Sequence, residues 1–184
     1  MALEHAILVS LSERGGSGLD LTRRFDRSIG FFWTATHQQI YRVLGRMESR
    51  GWVTCEAVAQ HGRPDKKVYD VTPAGRAELQ RWLAEPLSRE EYRSDLAVKL
   101  RAASYGDRAA LLQEVTELRA EHATRLALYE QMADRDYPEP TGLSGADLDR
   151  YLVLRGGVLM EQFWLRWLGE YLAAHESVLE GTTR

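Results

Sequence analysis

Residues 36–53, Thr36-His-Gln-Gln-Ile-Tyr-Arg-Val-Leu-Gly-Arg-Met-Glu-Ser-Arg-Gly-Trp-Val53, constrain the fold of this chain more than any other stretch. Ile40, Val43, Leu44 and Met47 recur at i, i+3, i+4 and i+7, so one face of a helix is apolar and packs inward. On a 3.6-residue wheel the positions facing away are Gln38, Tyr41, Arg42, Gly45 and Ser49, with His37 and Arg46 on the flanks. Thr36 and Gln39 stand at the spacing of a capping box: the hydroxyl takes an orphan backbone N–H and the amide reaches back to the cap. Gly51 marks the stop.

The outward residue types suit duplex DNA. A Gln amide can pair with adenine and a guanidinium with guanine, while Arg and Tyr also bind phosphate oxygens that fix register without reading sequence. After the helix, Trp52–Val58 and Lys67–Val71 are rich in β-formers and predict two short strands. Between them Gly62 and Pro64 supply turn geometry, which puts Arg63, Lys66 and His61 at the tip of a hairpin. Cations there neutralise phosphates beside the groove that the helix enters. Thr72-Pro73 reads as an N-cap with proline in the first turn, opening a helix through Leu79, Trp82 and Leu83. Helix, glycine stop, hairpin and basic tip in this order predict a winged helix-turn-helix. Its DNA contacts are expected from Thr36, His37, Gln38, Gln39, Tyr41, Arg42 and Arg46 on the helix and from Arg63 and Lys66 on the wing. The plainer alternative is a hairpin that merely closes a small core.

The same residues carry a family resemblance. The segment Phe31-Phe-Trp-Thr-Ala-Thr36 and its continuation to Val53 resemble PadR-type transcriptional regulators, particularly the AphA-like branch. Ser17-Gly-Leu-Asp-Leu21 is similar to the family's start of the second helix, and Gly62-Arg-Pro64 with Tyr69 and Thr72-Pro-Ala-Gly75 to its wing and following helix. Lys99-Leu100, Glu121-His122 and Leu154-Arg-Gly156 with Trp164 and Trp167 are similar to the branch's C-terminal helical domain. The resemblance covers nearly the whole chain and implies a winged-helix repressor or activator that dimerises through its C-terminal helices. Leu19 stands where many relatives have Tyr, so no contact of that phenol is carried over.

The net charge of −3 over 184 residues is unevenly distributed. Residues 1–84 hold 12 Lys and Arg against 9 Asp and Glu, a net of +3, whereas residues 85–184 hold 12 against 18, a net of −6. A DNA-binding domain over 1–84 and a helical dimerisation domain over 85–184 fit this division. The small excess in the first part predicts salt dependence from a few positioned contacts per subunit. One cysteine, Cys55, excludes an intrachain disulfide and is expected as a buried strand residue rather than a redox sensor. No basic leader precedes an apolar run and no stretch is long enough to span a membrane, so a cytoplasmic protein without membrane contact is expected.

Along the chain, Leu3, Ala6, Ile7 and Leu11 predict a first helix over about Ala2–Leu11, which Gly15-Gly-Ser-Gly18 breaks. Leu19, Leu21 and Phe25 predict a second, and Gly30-Phe-Phe-Trp33 an aromatic bend that lids the core. Beyond Pro86 the composition turns helical and acidic. Ser94, Leu96, Ala97 and Leu100 suggest a short helix. From Asp107 to about Asp134, Leu111, Val115, Leu118, His122, Arg125, Tyr129 and Met132 form a coiled-coil-like seam made impure by His122 and Arg125. Pro138, Pro140 and Gly142 make a turn, and Ser144 with Asp147 is expected to cap a last helix running to roughly Leu179.

This last helix is apolar over more than one face, so a single antiparallel neighbour leaves part of it uncovered and a second subunit is needed. Leu118, Tyr129, Leu152, Val158, Leu159, Phe163 and Trp167 are the expected dimer contacts. Gly156-Gly157 costs roughly 1 kcal/mol per glycine relative to alanine in a helix interior, which close approach of another backbone would explain; a local kink is the alternative. A two-fold dimer would read an inverted repeat with half-site centres about one DNA turn, or a multiple of it, apart.

Other function classes find little in the sequence. Gly15-Gly-Ser-Gly18 lacks the Lys-Ser/Thr of a phosphate loop, and His5, His37, His61, His122 and His175 are scattered without a second ligand at metal spacing. No catalytic constellation stands out, so no enzyme, metal or cofactor is expected. Tyr151, Phe163, Trp164 and Trp167 could line a pocket for a flat aromatic effector, in keeping with the phenolic or drug-like ligands of some PadR-type proteins, or simply be core. The sequence therefore reads as a mainly α, homodimeric, sequence-specific regulator of transcription acting on double-stranded DNA, a repressor. The alternative is a dimeric small-molecule-binding or adaptor protein on a winged-helix scaffold.

Overall fold

A computed structural model describes residues 2–27, 35–60, 63–87 and 94–175. The aromatic bend Gly30–Trp33 and the hairpin-tip residues His61 and Gly62 lie outside the described residues. The chain divides into two compact units, Met1–Arg89 and Glu90–Arg184.

The first unit runs α1 (Ala2–Glu13), β1 (Gly16–Ser17), α2 (Gly18–Arg27), α3 (His37–Ser49), β2 (Val53–Gln60), β3 (Arg63–Val71) and α4 (Pro73–Leu83). Its core joins Ile7, Leu8 and Leu11 of α1 to Leu21 and Phe25 of α2, the four apolar residues of α3, and Val53, Tyr69 and Val71 of the sheet. The apolar period of α3 is fully used: Ile40, Leu44 and Met47 have no exposed surface and Val43 only 4%. Burial of such side chains contributes about 1.5–3 kcal/mol each.

Both ends of α3 are fixed locally. Thr36 Oγ1 accepts from the Gln39 N–H at 3.2 Å while Gln39 Oε1 accepts from the Thr36 N–H at 2.8 Å, the reciprocal cap that the sequence spells. At the other end Gly51 adopts φ +69°, and Trp52 N–H bonds Met47 C=O while Gly51 N–H bonds Glu48 C=O, each at 2.9 Å. That Schellman geometry needs a left-handed residue, which glycine supplies without steric cost. Thr72 caps α4 by accepting from Gly75 N–H at 3.0 Å. Gly75 lies so close to the chain leaving α3 that a β-carbon there would stand 2.1 Å from Trp52 O.

The sheet has three antiparallel strands in the order β1-β3-β2. β2 and β3 pair from Val53↔Val71 to Gln60↔Arg63, with an irregularity between Val58 and Gln60. Both strands extend further toward the turn than their β-formers suggest. β1 adds only Gly16↔Tyr69 and Ser17↔Val68, and the sequence does not predict it, because Gly-Ser carries no strand preference and the pairing is tertiary. Cys55, paired opposite Tyr69, is half-buried rather than fully buried. The first helix is longer than expected by two residues, ending at Glu13.

The second unit holds α5 (Asp95–Arg101), a 3-10 turn at Ala103–Tyr105, α6 (Arg108–Asp136), a 3-10 turn at Pro140–Gly142, and α7 (Gly145–Ala173). Ser94 caps α5 and Asp107 caps α6. The two long helices pair antiparallel, as the contacts of Arg119 with Leu165, His122 with Glu161 and Tyr129 with Gly157 run in opposite order along them. At one end Leu100, Val115 and Leu168 form a core flanked by Leu111, Leu118, Trp164 and Trp167.

Two expectations change here. Ser144 precedes α7, but its side chain makes no cap bond, and Asp147 instead meets Arg150 at 2.8 Å. The helix ends at Ala173, short of Leu179. The polar members of the α6 seam are not defects in packing: His122 Nδ1 lies 2.5 Å from Glu161 Oε2, and Arg125 Nε 3.4 Å from Glu161 Oε1. The ring of Tyr129 in the same chain meets Gly157, 3.3 Å from where a β-carbon would sit, and α7 runs through the glycine pair without a break.

Candidate nucleic-acid interface

Packing one face of α3 into the core leaves a continuous polar surface on the other. Thr36, His37, Gln38, Gln39, Tyr41, Arg42, Gly45, Arg46 and Ser49 are all exposed. They are not equally free. The Gln39 carbonyl oxygen is occupied by the cap, leaving its amide N–H groups. Tyr41 is 49% exposed, with its ring lying across Gly18 at the start of α2. Arg46 is held by Glu4 of α1, Nη2 to Oε1 at 3.3 Å. His37, Gln38 and Arg42 have no hydrogen bond or ion pair among the described residues.

The wing is rearranged relative to the sequence reading. Since β3 begins at Arg63, Lys66 sits within the strand opposite Val58 and not at the tip. Its ammonium lies 2.9 Å from Asp20 Oδ2, with both side chains about a third exposed (37% and 36%). Arg63 opens β3 beside the turn, and its side chain lies outside the described part. Asp20 in turn accepts from Ser17 N–H at 3.0 Å and from Ser17 Oγ–H at 2.8 Å, while Ser17 Oγ accepts from Asp20 N–H. The Lys66 ammonium first, then these Ser17 donors, hold the Asp20 carboxyl far below the usual carboxylate range. Burial, with Cys55 adding to it, pushes the Tyr69 hydroxyl up to about 12, so it stays protonated beneath the recognition helix.

Sequence reasoning missed Glu4, Gly18, Asp20 and Arg50. Ser17 and Asp20 stand at capping-box spacing and were legible as such. Glu4 and Arg50 are 46 positions apart, and no local pattern signals their contact.

Of the four aromatic residues expected to line one pocket, three come together and Tyr151 does not. Phe163, Trp164 and Trp167 cluster with centroids 5.4–6.0 Å apart, and Trp164 stacks on His122 at 5.2 Å. Tyr151 lies twelve residues earlier on α7, about 18 Å along the axis, against Tyr137 at 5.6 Å. A shallow cleft in this unit is bordered by Lys99, Asp107, Leu111 and Glu114 and includes none of the four. Of the expected dimer contacts, Tyr129 and Val158 are buried between α6 and α7 of one chain, at 5% and 3% exposed. Leu118 and Trp167 are partly buried in the same chain's core, whereas Leu152, Leu159 and Phe163 are more than half exposed.

Comparison with known proteins matches this architecture in both halves. Residues 7–81 match the transcriptional regulator PadR-like family, and residues 92–176 match the virulence activator alpha C-terminal family. The probable transcriptional regulator Rv1176c of Mycobacterium tuberculosis is 54% identical over 95% of this chain and 97% of its own length. The chain belongs to the PadR-like family of transcriptional regulators. Among solved PadR-like structures, the Vibrio cholerae virulence activator AphA is 34% identical, with a TM-score of 0.80 over 96% of this chain and 99% of that one. Bacillus subtilis PadR in complex with operator DNA is 28% identical, with a TM-score of 0.81 over 95% and 99%. The same Bacillus PadR has also been solved with p-coumaric acid. This PadR-like chain is thus kin to transcriptional regulators and not to enzymes. Among its described residues no helix is long and apolar enough to cross a membrane.

Proposed function

We propose that this PadR-like regulator binds double-stranded DNA sequence-specifically as a homodimer on an inverted repeat and represses transcription from the cytoplasm. The observation that carries the reading is the outward row of α3, where Gln38 and Arg42 stand exposed and, among the described residues, without partners on a helix capped at both ends. A rigid helix that presents an amide and a guanidinium can read base edges without first breaking internal bonds. The operator complex of Bacillus PadR supports DNA as the ligand, and the description of that protein as a negative regulator supports repression.

Pairing of two chains is supported by α7. Leu152, Gly156, Leu159 and Phe163 follow one another at steps of four, three and four, which places them on one side of the helix. The three large residues are 52–54% exposed, and a β-carbon at Gly156 would meet nothing within 4 Å. Such a stripe fits a second copy of the same helix packed closely at the glycine. Titration of DNA from upstream of the protein's own gene, against a random duplex of equal length at several salt concentrations, tests the reading. Preference for the upstream DNA that survives moderate salt supports it, and equal binding of both removes it.

A second reading, control by an aromatic acid, is favoured by the p-coumaric acid complex of Bacillus PadR. The Phe163, Trp164 and Trp167 cluster makes tryptophan fluorescence a direct probe. Saturable quenching by aromatic acids supports an effector, and its absence across a broad panel removes one.

A further inference from the structure

Glu4 lies in the first turn of α1, with its side chain only 7% exposed. Its Oε1 is 3.3 Å from Arg46 Nη2 and also 3.3 Å from Arg50 Nη1, and the two arginine side chains are 52% and 50% exposed. A carboxylate removed from water is costly to leave unpaired, so the two guanidinium contacts compensate its burial. Arg50 is further fixed by its guanidinium lying 5.0 Å from the Trp52 ring centroid. One buried anion is thereby shared between two cations on the flank of the recognition helix, and Arg46 is one turn beyond Arg42, which has no partner among the described residues. A phosphate that approaches Arg46 must compete with a fixed and already paired carboxylate, whereas one that approaches Arg42 does not.

We propose that Glu4 is a specificity-determining residue: it withholds Arg46 from indiscriminate phosphate contact, so that discrimination rests on Gln38 and Arg42. This rests on the DNA-binding reading above. The physical basis is that non-specific affinity grows with each phosphate neutralised, by about 0.9 in the slope of log affinity against log salt. A tethered internal anion lowers that sequence-independent part without touching base readout.

The test compares the full chain with Glu4→Gln on upstream and random duplexes across a salt series, after thermal melting shows that both are folded. Glu4→Gln is expected to bind random duplex several-fold more tightly at low salt, with a slope steeper by roughly 0.9 for each phosphate contact released. Its upstream-to-random ratio should fall. An unchanged or shallower slope overturns the inference. Arg46→Gln in the native background provides an arm that does not depend on removing the buried carboxylate. With Arg46 withheld, its loss should change the random-duplex slope by well under 0.9, and a full loss of about 0.9 overturns the role given to Glu4. If the native chain shows no salt-dependent duplex binding, the DNA reading itself falls. If the native chain discriminates but Glu4→Gln behaves identically, only the role of Glu4 falls.

Discussion

The ring of Tyr41 on the recognition helix lies across Gly18 at the start of α2, so close that a β-carbon on Gly18 would stand 2.3 Å from Tyr41 Cε1. Glycine at this position is therefore a seat for a side chain on another helix. Gly18→Ala should cost only about 1 kcal/mol of stability, the low end for overpacking, because the half-exposed ring can rotate away. It should nevertheless weaken binding to upstream DNA as Tyr41→Ala does, and the double variant should be no worse than Tyr41→Ala alone. Binding by Gly18→Ala at native strength would show that the placement of Tyr41 is irrelevant to DNA.

Gln38 and the wing cations should fail in different ways. Gln38→Ala is expected to narrow the gap between preferred and random duplexes by about 1–3 kcal/mol, the value of one good base contact. Arg63→Ala should instead weaken all duplexes alike and flatten the salt slope. Lys66→Ala should act in the same direction but more weakly, since its ammonium is already shared with Asp20. Competition titrations at two salt concentrations separate these outcomes, and an unchanged site preference in Gln38→Ala would remove that residue from base readout.

Glu161 and His122 form a buried polar pair in the helical unit, with side chains 10% and 8% exposed. His122→Ala takes away the nearer of the two cation-capable partners of the carboxylate, leaving the longer Arg125 contact, and should destabilise the unit by roughly 3 kcal/mol. Replacing both by apolar residues of similar size, His122→Leu with Glu161→Met, should recover most of that loss. Denaturant unfolding of the single and double variants measures it.

Acid should act on the first unit through Glu78, whose side chain is 13% exposed and bonds Arg81 at 2.7 Å and His5 at 3.1 Å. Arg81 first, then His5, lower its carboxyl from 4.5 to about 2. A depressed folded value means a contribution that is complete above about 4.5 and disappears as pH falls through about 2. The melting temperature of Glu78→Gln should therefore lie below the native one near neutrality, with the gap closing as pH falls across that window. A gap that stays constant would assign the pair no linkage.

On α7, Leu159→Glu places a charge in the middle of the exposed stripe, while the intrachain packing of Val158 and Leu154 is left alone. Sedimentation should then report monomers, with operator affinity reduced at least tenfold through loss of bivalent binding. Unchanged assembly would move the interface elsewhere.

What the sequence revealed was local, and what it hid was long-range. The α3 cap, its glycine stop and the four buried residues follow from neighbours within a few positions, and so does the Thr72-Pro73 start of α4. β1 was not legible, because two residues without β preference acquire strand structure only by docking on β3. The β-formers begin only at Lys67 and so point to Lys66 at the wing tip, whereas pairing extends to Arg63. The ion pairs of Glu4 and Asp20 that occupy Arg46 and Lys66 join residues more than forty positions apart, where no periodicity operates. Residue type alone puts the aromatic residues of α7 together, but helical rise separates Tyr151 from the rest.

The Thr72 hydroxyl caps α4 and also donates to Gly51 C=O at 2.6 Å, while Thr72 N–H bonds Trp52 C=O at 3.0 Å. The hairpin thus leaves and returns through a single clasp. Residues added to or removed from its far end would alter how far the cationic turn projects without transmitting torque to the reading helix, so reach along the duplex and choice of bases can diverge independently in such molecules.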